Sequence, residues 1–164
     1  SFSGDGKYVA SGSDDNSVKI WDGTTSNCLA PLTGHKLSVN SVSFSDNGKY
    51  LATGSHDKLV KIWDMTASNC TATLAGHTEV VNSTSFSGDG KYVASGSDDK
   101  TVKIWDVATN NCPATLTGHT DKIASVSFSV DGKYVASGSH DKSVKIWDVA
   151  TSSCLATLIG HSNL

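Results

Sequence analysis

Four tryptophans stand at 21, 63, 105 and 147, four phenylalanines at 2, 44, 86 and 128, and four tyrosines at 8, 50, 92 and 134. The pair Gly-His recurs at 34–35, 76–77, 118–119 and 160–161, and the cysteines at 28, 70, 112 and 154. Every series advances by 42 residues. A period of this length constrains the fold before any local motif does. Each copy is one supersecondary unit that must stack on its neighbours to bury its apolar surface.

Within one period the texture is β throughout. Residues 39–44, Val-Asn-Ser-Val-Ser-Phe, alternate, and Ser45-Asp46-Asn47-Gly48 is turn chemistry with Asn-Gly at its centre. Tyr50-Leu51-Ala52-Thr53, the turn Gly54-Ser55-His56-Asp57, Leu59-Val60-Lys61-Ile62-Trp63, a polar bend and Thr71-Ala72-Thr73-Leu74 complete the unit. Four short strands per period are expected, and no window of helical spacing competes with them. Val60 and Ile62 fall on one side of their strand and Trp63 on the other. A sheet apolar on both faces is not stable alone, so each copy needs a sibling against either face.

Composition narrows the function classes. Hydrophobic residues make up 37% and charged residues 18%, which excludes a disordered tail and a coiled coil. The net charge is −3 and all 13 basic residues are lysine, so a nucleic-acid surface held by a basic field is not expected. The apolar runs fall short of the ~20 residues of a membrane span, and residues 1–6 do not resemble a signal peptide. The evenly repeated cysteines read as reduced thiols rather than a disulfide framework, and the expected location is cytoplasmic.

Gly-His, a turn ending in Ser-x-Asp, and Val-Lys-Ile-Trp-Asp at a 42-residue period resemble the tryptophan-aspartate (WD) repeat. The resemblance implies an all-β chain of β-propeller blades, four four-stranded antiparallel sheets, as a segment of a larger propeller or half of an eight-bladed ring. The blades would be residues 1–33 (first strand truncated), 34–75, 76–117 and 118–159, with 160–164 opening a next repeat. The chain is thus expected to be a window cut from a longer array. Seven blades are usual for this repeat, so four leave terminal sheets with apolar faces, and self-association through the terminal blades is expected. The near-identical copies and the texture around Cys154 are also similar to propeller arrays of fungal and cyanobacterial signalling NTPases.

The resemblance further implies a buried hydrogen-bonded tetrad in each blade: His35, Thr53, Asp57 and Trp63; His77, Ser95, Asp99 and Trp105; His119, Ser137, Asp141 and Trp147. The first blade holds Ser11, Asp15 and Trp21, which His161 would complete in its own chain or a neighbour's. Donor and acceptor chemistry agrees with the order indole, hydroxyl, imidazole, carboxylate, because it satisfies every member. Asp, His and Ser are also the parts of a nucleophile relay, but an active site does not recur in every period. We therefore expect no catalytic residue, no enzyme and no cofactor.

Function is to be sought where the copies differ. Top-face positions implied by the resemblance are Asp14, His56, Asp98 and His140, then Ser38, Val80, Lys122 and Leu164, then Asn40, Asn82 and Ala124. His and Asp alternate there, yet neighbouring blades are too widely spaced for one metal ion, so none is expected. Phosphate recognition is disfavoured by the absence of arginine. The reading is a noncatalytic interaction scaffold that binds a protein or peptide on its top face. The alternative is an excised or engineered repeat fragment that self-assembles and has no ligand of its own.

Overall fold

The computed structural model describes residues 1–162, apart from the side chain of Ala30. Four antiparallel sheets follow one another along the chain. The first contains β1 (Tyr8–Gly12), β2 (Val18–Asp22) and β3 (Cys28–Leu32). Ahead of it Phe2 makes an isolated bridge to Val9 rather than a full ladder. The second holds β4 (Val39–Phe44), β5 (Tyr50–Ser55), β6 (Leu59–Asp64) and β7 (Asn69–Ala75). The third holds β8 (Val81–Phe86), β9 (Tyr92–Ser97), β10 (Val102–Asp106) and β11 (Ala114–Leu116). The fourth holds β12 (Ile123–Phe128), β13 (Tyr134–Ser139), β14 (Ser143–Asp148) and β15 (Ser153–Ile159). Strands are hydrogen-bonded in chain order within each sheet, the up-and-down meander of a β-propeller blade.

The sheets are joined by apolar layers, each built from one face of two consecutive blades. Ala10, Val18, Ile20 and Leu32 meet Val39, Phe44, Leu51 and Trp63 in the first layer. Ala52, Val60, Ile62 and Leu74 meet Val81, Phe86, Val93 and Trp105 in the second, and Ala94, Val102, Ile104 and Leu116 meet Ile123, Val126, Val135 and Trp147 in the third. The pleat sends Ile62 into one layer and Trp63 into the other, so every inner sheet contributes to two cores. Burial of each large side chain stabilises by roughly 1.5–3 kcal/mol, before the entropy of ordering it.

Close approach depends on one glycine per sheet. A Cβ on Gly12, Gly54 or Gly96 would lie 2.8, 2.6 or 2.6 Å from a methyl of Val39, Val81 or Ile123 in the next sheet. The counterpart in the last sheet, Gly138, has nothing within 4 Å. Among the described residues no helix is long and apolar enough to cross a membrane.

The paired glycines give a test. Gly96→Ala forces its methyl onto the β-branched Ile123 and Val126 and is expected to cost about 1–3 kcal/mol. Gly138→Ala, with the same neighbours in sequence but open space before it, should change stability by less than about 0.5 kcal/mol. Urea midpoints of the two variants decide; equal losses would contradict this packing.

Candidate functional site

The loop entering each of the last three sheets delivers its histidine to the second and third strands of that sheet. In the second sheet Trp63 Nε1 donates to Thr53 Oγ1 at 3.0 Å, the Thr53 hydroxyl lies 2.7 Å from His35 Nε2, and His35 Nδ1 lies 2.8 Å from Asp57 Oδ2. In the third, Trp105 donates to Ser95 at 2.8 Å, with 2.7 Å from Ser95 to His77 and 2.7 Å from His77 to Asp99. In the fourth, Trp147, Ser137, His119 and Asp141 are joined by three contacts of 2.7 Å. Each indole also meets the imidazole edge-on, with centroids 6.1–6.3 Å apart.

Protonation states follow from this order. A hydroxyl that accepts from indole N–H donates its own proton to Nε2, leaving Nδ1–H to donate to the carboxylate. Burial pushes His35 and His77 below the ordinary imidazole value, outweighing the pull of Asp57 and Asp99 toward the charged form. Burial alone would raise Asp57 and Asp99. Hydrogen bonds from the Lys36 backbone N–H to Asp57, from the Thr101 hydroxyl to Asp99, and from the two imidazoles more than offset it, so both carboxyls stay ionised. These two pairs are neutral imidazole on carboxylate rather than salt bridges. Among the described residues no buried side-chain nitrogen or oxygen lacks a partner.

The first sheet differs. Trp21 Nε1 donates to Ser11 Oγ at 2.9 Å, but Asp15 is exposed and accepts from the Ser17 backbone and hydroxyl at 2.9 and 2.6 Å. His161 is exposed at the opposite end of the chain of sheets, beside His140, Ser143 and Val144. Among the described residues no hydrogen bond joins it to Ser11 or Asp15.

The top end of the sheets gathers most of the variable positions. His56, Val80, Asn82, Asp98, Lys122, Ala124 and His140 line one open cavity of about 380 Å³. Asp14, Ser38 and Asn40 lie outside it, and Leu164 falls beyond the described residues. The backbone N–H groups of His56, Asp98 and His140 donate to the carbonyls of Ser38, Val80 and Lys122, each at 2.9 Å. Asn82 Nδ2 donates to Asp98 Oδ1 at 2.7 Å and to the Ile123 carbonyl of the next sheet at 2.8 Å. Its amide is therefore part of the frame, while among the described residues the His56, Lys122 and His140 side chains carry no such tie. Among the described residues no group of three His, Cys, Asp or Glu side chains is placed to hold a metal ion.

The family model for the WD domain, G-beta repeat, matches residues 1–22, 26–64, 68–106 and 110–148. The chain belongs to the WD40 repeat family. It has no significant match among curated proteins. Two features of this WD40 chain were not read from its sequence. The innermost strands are stitched together by serines: Ser41 accepts from the Thr84 N–H at 2.9 Å, Ser43 from Phe86 at 3.2 Å, Ser83 from Val126 at 3.1 Å and Ser85 from Phe128 at 3.1 Å. The alternating serines before each repeated phenylalanine were the available signal.

The second is Pro113. It cannot donate to a ladder, and β11 begins only after it, three residues long. A cavity of about 590 Å³ opens there at the lower end, lined by Tyr92, Pro113, Lys133, Asp148 and Val149 among others. The corresponding space between the first two sheets, lined by Leu29 and Met65 in place of Pro113 and Val149, is about 170 Å³.

Removing a carboxylate tests the network. Asp99→Ala leaves the buried His77 N–H unpaired and should cost on the order of 1–3 kcal/mol, whereas Asp15→Ala, exposed and without a histidine, should leave the urea midpoint nearly unchanged. Acid should act in the same direction. His35 and His77 are depressed below 6.5, so the unfolded state takes up protons first as pH falls. Their contribution is present above 6.5 and is lost as pH drops toward the folded values; the lowered Asp57 and Asp99 add a further loss below 3.8. The denaturation midpoint is expected to fall between pH 7 and pH 5, and a midpoint that rose over that range would contradict the neutral-histidine assignment.

Proposed function

We propose that this WD40 chain is a noncatalytic, cytoplasmic interaction scaffold that docks a protein or peptide across its top face. WD40 repeats generally mediate protein–protein interaction. The observation that carries the finer reading is the convergence of His56, Lys122 and His140, side chains with no counterpart in neighbouring repeats, around one cavity whose floor is hydrogen-bonded framework. Recognition groups on a rigid scaffold lose little entropy on binding. The blades are taken as residues 1–33, 34–75, 76–117 and 118–159, with the Trp, hydroxyl, His and Asp tetrads as framework rather than machinery. Self-association through the first and last sheets belongs to the same reading.

The larger lower cavity is the less favoured site. It lies beside the short strand β11, and Tyr92, Ile104, Pro113 and Val149 line it with Lys133 and Asp148 as its charged members. Recognition across the top draws on side chains from three consecutive sheets and so senses a longer stretch of partner.

A peptide library selected on the intact chain separates the two ends. Binders of the top face should lose at least tenfold in affinity against His56→Ala combined with His140→Ala, a change of ~1.4 kcal/mol or more, with no change in melting temperature. They should keep their affinity for Lys133→Ala combined with Asp148→Ala. The reverse pattern would overturn the top-face assignment.

A further inference from the structure

The junction between the third and fourth sheets is built differently from the one between the first and second. At its lower end the first junction has Leu29 and Met65 around a space of about 170 Å³. Two periods on, the same two positions are Pro113 and Val149, and the space is about 590 Å³. Both replacements are shorter side chains, and Pro113 also coincides with a break in the sheet. In the second sheet the outer ladder runs on through the pairs Trp63–Cys70 and Asp64–Asn69, with Thr71 Oγ1 donating to the Ile62 carbonyl at 3.2 Å. In the third it ends at Ile104–Ala114, beside Pro113, which has neither an N–H to pair nor a hydroxyl to turn inward.

A cavity of this volume lies within the range of small-molecule sites, roughly 300–1,000 Å³. Ile104 in its wall is 1% exposed, and Tyr92 and Val149 pack against the third apolar layer, so the core holds the apolar wall in place. The rings of Tyr92 and Pro113 add flat apolar surface. Charge enters from the fourth sheet only. Lys133 and Asp148 both line the cavity, and among the described residues no ion pair joins them. Asp148 Oδ1 accepts from the Thr151 N–H and hydroxyl at 2.8 and 2.9 Å, which fixes the carboxyl and holds it below the ordinary carboxylate range. Lys133 Nζ lies 3.8 Å from Asp131 Oδ2, a largely exposed pair that contributes little. One cation and one anion, not spent on each other, therefore border a single apolar hole.

We infer that this cavity binds a free aromatic amino acid as its zwitterion. The ammonium group meets Asp148, the carboxylate meets Lys133, and the side chain lies against Tyr92, Ile104, Pro113 and Val149. A neutral apolar molecule would use neither charge, and a simple amine or acid only one. An aromatic residue inside a peptide carries amides where the free amino acid carries charges, so it lacks both contacts. The site shares no lining residue with the top-face cavity and does not depend on what docks there.

Isothermal titration calorimetry on the intact chain, with L-tryptophan as the probe, tests this. L-Tryptophan should bind at millimolar concentration. Tryptamine, which lacks the carboxylate, and N-acetyl-L-tryptophan, which lacks the ammonium, should each bind about tenfold more weakly. Lys133→Ala alters an exposed side chain and should weaken L-tryptophan by about the same tenfold factor while leaving tryptamine unchanged. Pro113→Leu combined with Val149→Met installs the residues of the first junction and should abolish binding, with circular dichroism confirming that the chain is folded. No heat from L-tryptophan overturns the site. Tryptamine or N-acetyl-L-tryptophan binding as tightly as L-tryptophan overturns the zwitterion assignment. Binding that survives the double substitution in a folded chain overturns the cavity as its location. If the double variant does not fold, Lys133→Ala decides: equal weakening of L-tryptophan and tryptamine, or of neither, overturns the assignment.

Discussion

A sheet that is apolar on both faces has no stable existence in water by itself, and the remainder of this structure follows from that constraint. Burial of Val60 and Ile62 requires a following sheet, and burial of Trp63 on the same strand requires a preceding one. Each blade is therefore both a covering and a covered layer. The glycine at the centre of the second strand is small because the next sheet's Val or Ile presses on it. The serines of the innermost strand reach across because the next strand's N–H groups have no ladder partner on that side. Packing and polar satisfaction are two aspects of the same stacking.

Within that frame the histidine network ties each entering loop to the middle of its sheet. Its strength comes from burial. In a low dielectric the indole, hydroxyl, imidazole and carboxylate reinforce one another, and the imidazole is held neutral so that every donor meets one acceptor. Ser95 thereby resembles the nucleophile of a relay while having both its proton and its lone pairs engaged inside a strand. The chemistry is spent on geometry, and what it positions are the loop tips above it. His56, Asp98 and His140 hang on backbone hydrogen bonds only one residue before the tetrad carboxylates.

Much of this was legible in the residues themselves. The 42-residue period, the β texture and the split of Ile62 and Trp63 between two faces follow from residue type and spacing, while the Trp, hydroxyl, His and Asp tetrads were implied by the resemblance to the WD repeat, with which donor and acceptor chemistry agrees. These features are legible because they are local or repeated: alternation reports the pleat, and recurrence reports a shared environment. The serine stitches were not read, since a serine alternating in a strand looks the same whether it faces solvent or a neighbouring strand. Nor was the consequence of Pro113, because the loss of one ladder bond becomes a cavity only when the next sheet's Asp148–Ser152 loop stands opposite it.

The sequence by itself determined the unit: four strands and two greasy faces, repeated every 42 residues. Only the tertiary structure gave the degree of burial of each residue in each copy. Trp21 and Trp63 belong to the same motif, and so do Leu74 and Leu158, yet one of each pair is buried and the other is open. Identical residues differ in this way because burial is a property of what lies across the interface, and a strand's own pattern carries no record of whether a neighbour is there.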